Sequence, residues 1–302
     1  MVPLVFEPLP LGKIKPQGWL DDQLHLQANG LGGHLMDFWK YVSNSSWIGG
    51  KVEYSVLDEA LPYWLNAIVP LAYGIGDERL KSQVRSTVDY ILDHQQADGW
   101  IGYEVGTERN MWPRNLVLLG LMQMAQADPE YKDRIIAAMQ KFQVIMNTML
   151  AKNYTGFWYH TGDKFEAGAT EWGITRAHDL MIPLLWLYEH HPANLSETIM
   201  QNLNYLYTGG KNWDWWFQEG VFPKGDLESL NATFYGDYWY YEHGVNMGQG
   251  LKSTAVYRRF LHNDSLVELS YQGVNWTFKY HGAASGSILA DEYQNGLAPY
   301  MG

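Results

Sequence analysis

The chain has no cysteine in 302 residues, so no disulfide, no cysteine-ligated zinc and no thiol nucleophile can be built from it. Positive charge is scarce: 21 Lys and Arg stand against 33 Asp and Glu, for a formal net charge of -12. The acidic residues are scattered and no basic stripe is left to neutralise phosphates. Nucleic acid is therefore not an expected partner. Long hydrophobic runs are also missing; the longest, around Met181 to Tyr188, falls far short of the roughly 20 residues that span a bilayer. No membrane partner is expected. Met1 to Leu11 has no charged stretch leading into an apolar one, so no signal peptide is read there.

Aromatic residues are what the chain has in plenty. They make up 15% of it, with 14 Trp and 21 Tyr, and hydrophobic residues make up 46%. A chain of this length and apolarity buries a large core and is globular. Aromatic rings held in loops stack on the apolar faces of sugars, although a rigid helical core uses the same residues. A carbohydrate is the expected partner, and nothing in the sequence sets an oligomeric state. Six Asn-x-Ser/Thr sequons, at Asn44, Asn153, Asn194, Asn231, Asn263 and Asn275, point to a secreted glycoprotein whose leader is not part of this sequence. The alternative is that they are unmodified accidents of composition.

Residues 1–18 read as an extended arm, since Pro3, Pro8, Pro10 and Pro16 hold their predecessors in strand-like geometry. Residues 19–302 read as one all-α domain. Trp19 to Trp39 is predicted as a helix interrupted by Gly30, Gly32 and Gly33, with Trp47 to Gly50 as loop. From Glu59 a unit recurs four times: an apolar helix, a polar corner, an amphipathic helix and a long loop of aromatics and glycine. The corners are Gly76-Asp77, Ala127-Asp128-Pro129, His190-His191-Pro192 and His262-Asn263-Asp264. The loops run Asp98 to Tyr103, Thr155 to His160, Trp213 to Phe217, and His281 through Glu292.

The first helix of each pair is apolar almost all round, as Leu116 to Met124 and Leu180 to Leu187 show, and reads as an inner helix. The second carries a one-sided stripe such as Leu80, Val84, Val88, Ile91 and Leu92. Hairpins of this kind cannot bury their apolar faces alone and must stack on their neighbours. The expected fold is an (α/α)6-toroid, incomplete within these residues because four hairpins and an initial helix fall short of six pairs. Each aromatic loop leads into the start of an inner helix, which places the loops and the polar residues there on one expected rim.

Those polar residues are the candidate site. Glycosidic cleavage needs one carboxylic acid to protonate the leaving oxygen and a second group to attack or to activate water. Glu292 is the candidate acid, and Asp291 beside it is a candidate sugar contact; the bland reading of the pair is a helix cap. His243 either donates to a sugar hydroxyl or caps the helix that follows. Arg176 and Asp179, three residues apart, either contact sugar or form an intrahelical ion pair. Asn246, Arg114, Asn115 and Trp172 at the inner-helix starts, with Trp100 and Trp158 from the loops, complete the expected substrate-binding set.

Four separated motifs, in order, carry a family resemblance: Pro8 to Leu20, Tyr63-Trp64-Leu65 through Pro70-Leu71-Ala72-Tyr73, the Asp98-Gly99-Trp100-Ile101-Gly102 loop, and His243-Gly244-Val245-Asn246. Together they resemble the beta-L-arabinofuranosidase family, glycoside hydrolase family 127, and its relatives. The resemblance implies an (α/α)6 barrel and retaining exo-hydrolysis of arabinofuranosyl or related sugars from plant-type glycans. It also implies that Glu292 is the acid/base and His243 a sugar-contacting histidine. The family's nucleophile is a cysteine on a zinc ion, C-terminal to the acid/base, and this chain has no cysteine. No cofactor is expected within these residues, and zinc only in a full-length member of the family. The expectation is the N-terminal barrel portion of a longer enzyme, or a degenerate member. A non-catalytic carbohydrate-binding toroid and a polysaccharide lyase using Arg114, Arg176 and His243 are the competing classes.

Overall fold

The computed structural model describes residues 1–161, 164–166, 171–224 and 239–288. Among these residues the regular structure is helical apart from one antiparallel hairpin, Tyr159–Thr161 (β1) with Lys164–Glu166 (β2). The chain divides into two compact units. The first holds residues 5–174 and 182–205; the second holds residues 1–4, 175–181 and the described part of 206–302.

In the first unit the proline-rich arm has no helix before Trp19. It is tied down where Lys15 Nζ donates to the Tyr73 and Gly74 carbonyls (3.1 and 3.0 Å). Helices α1 (Trp19–Asn29) and α2 (Leu31–Phe38) are separated at Gly30, as the glycines predict, and α3 (Lys40–Ser43) follows. Two hairpins come next: α4 (Ala60–Ile75) with α5 (Glu78–Asp93), and α6 (Trp112–Ala127) with α7 (Pro129–Ala151).

The first helices of these two pairs, α4 and α6, lie directly against each other, and each is also packed on its own second helix. Their approach is close: a Cβ on Gly120 would stand 3.0 Å from Leu65 Cγ, and Gln123 Nε2 donates to Asn66 Oδ1 at 2.6 Å. Leu116, Val117, Leu118, Leu121 and Met124 of α6 are all buried, each stabilising the fold by roughly 2 kcal/mol relative to exposure. Helix α6 is therefore buried on most of its surface, as its apolar composition predicts. After the β-hairpin come α8 (Glu171–Thr175), α9 (Ala177–His190) and α10 (Ser196–Gly209), with the predicted corner at His191–Leu195 between the last two.

The corners work through side-chain caps. Gly76 takes the left-handed conformation (φ 77) that ends α4, and Asp77 then accepts the Leu80 N–H at 2.9 Å to start α5. At the next corner Asp128 accepts the Glu130 N–H (3.2 Å), with Pro129 opening α7. The Asp128 carboxylate also receives the Tyr73 hydroxyl (2.6 Å) and Arg85 Nε (2.9 Å) from the preceding hairpin.

The second unit contains α11 (Trp213–Trp216), α12 (Trp239–Glu242), α13 (Gly244–Gly250) and the hairpin of α14 (Ser253–Leu261) and α15 (Ser265–His281). Two sequence expectations are corrected here. Trp213 to Phe217 is a helical turn rather than a loop, because Asn212 accepts the Trp215 N–H at 2.8 Å. The fourth inner helix is not continuous. It breaks at His243, whose Nδ1 accepts the Asn246 N–H, and again at Leu251 and Lys252, in a stretch weakened by Gly244, Gly248 and Gly250. The chain's start is fixed to α14, with Val2 N–H donating to the Arg259 carbonyl (2.7 Å) and Arg259 Nε donating back to the Val2 carbonyl (2.6 Å).

The two aspartate caps differ in how much rests on them, which gives a direct test. Asp77→Ala removes one cap and should cost about 1 kcal/mol. Asp128→Ala removes a cap and strands the buried Tyr73 hydroxyl and Arg85, and should cost roughly 2–4 kcal/mol. Urea unfolding of the two variants measures the contrast; equal losses would show that Asp128 acts only as a cap.

Candidate functional site

Ionisable groups gather most densely in the second unit, around the first turn of α9 and the starts of α12 and α13. Arg176, His178, Asp179, Glu242, His243 and Asn246 are all buried there. Arg176 Nε donates to Asn246 Oδ1 (2.7 Å), and Asn246 Nδ2 donates to the Tyr240 carbonyl (2.8 Å). The His243 imidazole caps α13 by accepting the Asn246 N–H on Nδ1 (3.3 Å). An accepting Nδ1 carries no proton, so the neutral ring holds its hydrogen on Nε2. Burial, reinforced by Arg176, pushes the His243 pKa down to about 4.

The expected Arg176–Asp179 ion pair is absent. Arg176 lies in the turn before α9 rather than on it, so the helical i, i+3 spacing does not apply, and its side chain turns to Asn246. Asp179 instead pairs with Lys252, whose Nζ is 2.6 Å from Oδ1. His178, next to Asp179, is fully buried and sits edge-on to Trp213 at 6.2 Å. Burial pushes its pKa down to about 4; Asp179 opposes that shift while Lys252 and Arg176 add to it. The surrounding wall is aromatic: Trp216 stacks on Tyr241 at 4.9 Å, and Trp213 Nε1 donates to the Thr175 carbonyl (2.8 Å). Asp291 and Glu292 lie outside the described residues.

The site residues predicted in the first unit have a different environment. Arg114 is fully buried on α6 and makes a bidentate ion pair with Glu104, while Nε donates to the Ile101 carbonyl and Nη1 to the Asn110 carbonyl, both at 2.8 Å. Its guanidinium is stacked between Trp100 (4.1 Å) and Trp47 (4.7 Å). Trp100 is fully buried by this arrangement, with Arg109 and Phe142 also against it. Neither Arg114 nor Trp100 presents a surface to a ligand, and their expected role as sugar contacts is corrected to that of a scaffold.

The glycines of this loop follow from the same packing. Gly102 has φ +128, and a Cβ on it would overlap the Arg114 guanidinium. Asn115 is buried, whereas Trp158 and Trp172 remain half-buried. Trp158 N–H donates to the Tyr154 carbonyl at 2.8 Å. The expected alignment of aromatic loops thus separates into buried scaffold (Trp100) and partly open rings (Trp158, Trp172, Trp215).

Sequence reasoning passed over four groups that the structure brings forward: Lys252, Glu104, and two residues of the first unit, Asp58 and Tyr103. A lone Arg at an apolar helix start signals a buried acid partner, and Glu104 at the end of the glycine loop is one of two acids, with Glu108, shortly upstream. Lys252 carried no such signal.

Comparison with protein-family models, with curated proteins and with solved structures gave no match. The zinc implied by the resemblance rests on thiolates, and a chain without cysteine cannot supply them. No group of three His, Asp or Glu residues placed to hold a metal occurs among the described residues. The residues present do not fit that zinc centre, and the chemistry below is confined to carboxyl, imidazole and guanidinium groups.

The two depressed imidazoles set a pH dependence. Both are neutral in the fold, whereas in the unfolded chain they take up protons below about 6.5, the ordinary value. Stability is therefore complete above that pH and is lost as pH falls towards 4. For fully buried His178 the loss is on the order of 3 kcal/mol. Burial raises Asp58 to about 6, which works in the opposite direction between pH 6 and 4 and partly offsets it. Thermal unfolding followed from pH 7 to 4.5 should show a falling midpoint, and His178→Gln should flatten that fall. An unchanged slope in the variant would remove His178 as its source.

Proposed function

We propose that the chain belongs to a glycoside hydrolase that removes arabinofuranosyl or related sugars from plant-type glycans, with its hairpins arranged as an (α/α)6-toroid. The observation that carries this reading is the buried polar cluster at the start of α9, α12 and α13. Burying six polar or ionisable groups so close together costs stability, and the cost supports a functional use for them. The side-by-side packing of α4 and α6, each backed by its own second helix, supports the toroid.

In this reading Glu292 transfers its carboxyl proton to the glycosidic oxygen as the bond from the anomeric carbon breaks. His243, with its hydrogen on Nε2 and its orientation set by the α13 cap, donates to a sugar hydroxyl. Asn246 and Arg176 hold that end of the site, Asp179 with Lys252 flanks it, and Asp291 contacts the sugar beside the acid. The attacking thiolate of the resembled family has no counterpart among these residues. That lack favours a second reading, a carbohydrate-binding protein that keeps the cluster without turnover. The exposed positions of Asn44, Asn153, Asn194, Asn263 and Asn275 support an extracellular glycoprotein; Asn231 lies outside the described residues.

Glu292→Gln keeps the side-chain shape and removes the transferable proton. On a natural arabinoside, whose leaving group is poor, activity should fall by about 100-fold or more. An aryl arabinoside needs less protonation, and its first step should suffer less. Full activity of Glu292→Gln on the natural substrate would overturn the acid/base assignment. Binding without turnover by the unaltered protein would establish the second reading.

A further inference from the structure

The first unit contains a cavity of about 370 Å³ between the end of α5 and the glycine loop, lined by Trp47, Tyr90, His94, Gln96, Gly102 and Tyr103 among others. Its volume falls in the lower part of the range that holds small organic ligands. The walls are flat rings: Tyr90 and His94 stack at 3.8 Å and 12°, and Tyr103 meets Trp47 edge-on at 6.1 Å. Tyr103 is 39% exposed and Val105 at the cavity edge is 62% exposed, so Tyr103 is reachable from solvent, with buried Trp47 backing it.

One residue fixes two of these rings. The Asp58 carbonyl accepts the Trp47 indole N–H at 2.9 Å, and its carboxyl lies beside the Tyr103 hydroxyl. To reach both, Asp58 holds φ 53, a left-handed conformation that costs a non-glycine residue on the order of 1 kcal/mol. Behind Ser46 of the lining, Glu53 accepts the Ser45 hydroxyl and the Ser46 N–H, both at 2.7 Å, on Oε1, while its Oε2 is buried without a hydrogen bond. The wall thus combines aromatic faces with the polar side chains of Ser46, His94 and Gln96, while the Asp58 and Glu53 carboxylates hold it from behind the lining. That is the composition that recognises a sugar: CH faces stack on rings, and hydroxyls are donated to acceptors.

We propose that this cavity is a binding site for a neutral mono- or disaccharide unit, with Tyr103 as the stacking platform and Asp58 as the residue that positions it. Only the choice of an arabinan fragment as first probe rests on the hydrolase reading; the cavity argument does not. The site shares no residue with the polar cluster around His243.

Arabinotriose titration, followed by calorimetry and intrinsic tryptophan fluorescence, tests the proposal on the full chain. The unaltered protein should bind, and Tyr103→Ala should weaken binding by about tenfold or more, the scale of a lost stacking ring. Tyr103→Phe keeps the ring and should stay within about threefold. As a control for disturbance of the loop by Tyr103→Ala, Val105→Arg provides a second variant: it sits at an exposed edge, obstructs entry, and should also abolish binding while leaving the melting temperature unchanged. Asp58→Asn should weaken binding and broaden the fluorescence response. Binding that survives both Tyr103→Ala and Val105→Arg would overturn the site. Absence of binding by the unaltered protein to arabinotriose, xylotriose and cellotriose, or preferential binding of choline, would overturn the ligand class. Turnover is read separately, so a failure of the hydrolase reading leaves this result interpretable, and the reverse also holds.

Discussion

The first unit depends on one buried ion pair. Arg114 and Glu104 are both removed from water, a placement that is tolerable only because every nitrogen of the guanidinium donates a hydrogen bond and two indole rings pack on it. Removing either partner would strand a buried charge. The consequences reach outward along the chain: Gly102 must be glycine, Ile101 and Asn110 must turn their carbonyls inward, and Trp47 and Trp100 must lie on opposite sides. The long loop between α5 and α6 is thus ordered by an electrostatic centre rather than by regular structure. The aromatic cavity is a by-product of the same order, since Trp47 and Tyr103 stand where the Arg114 packing leaves them.

The second unit handles its charges differently. There the polar groups lie around α9, α12 and α13, with Arg176 donating to Asn246, Asn246 to the Tyr240 carbonyl, His243 capping α13 and Lys252 beside Asp179. Two histidines stay neutral through burial. The first unit is thus locked by one strong ion pair, whereas the second holds a network of hydrogen bonds around two neutral imidazoles.

Local features of this architecture were legible in the sequence, because their causes are local. The corners at Gly76-Asp77 and Asp128-Pro129 were readable since the glycine, the aspartate cap and the proline each act within three residues. The apolar character of α6 was readable from its composition. Features set by distant partners were not. The Trp100 loop was taken for an open rim because a Gly- and Trp-rich segment looks the same whether the ring faces a sugar or an arginine. The Arg176–Asp179 spacing misled because it assumes one helix through both residues, and the helix begins only at Ala177. The glycine-rich stretch after His243 hid a break within what reads as one helix.

The Asp128 corner has a consequence for how the array of hairpins comes apart. In a stack of repeats linked only by apolar faces, a terminal repeat can fray while the next one stays intact. Here the cap that starts α7 is also the acceptor for Tyr73 of α4 and Arg85 of α5. Melting of the earlier hairpin would withdraw two donors from the residue that begins the later one, and loss of α7 would leave a buried hydroxyl and a guanidinium of the earlier hairpin without their acceptor. One carboxylate thereby adds to the coupling that the packed α4 and α6 faces already provide, and binds the two hairpins more closely into one cooperative unit.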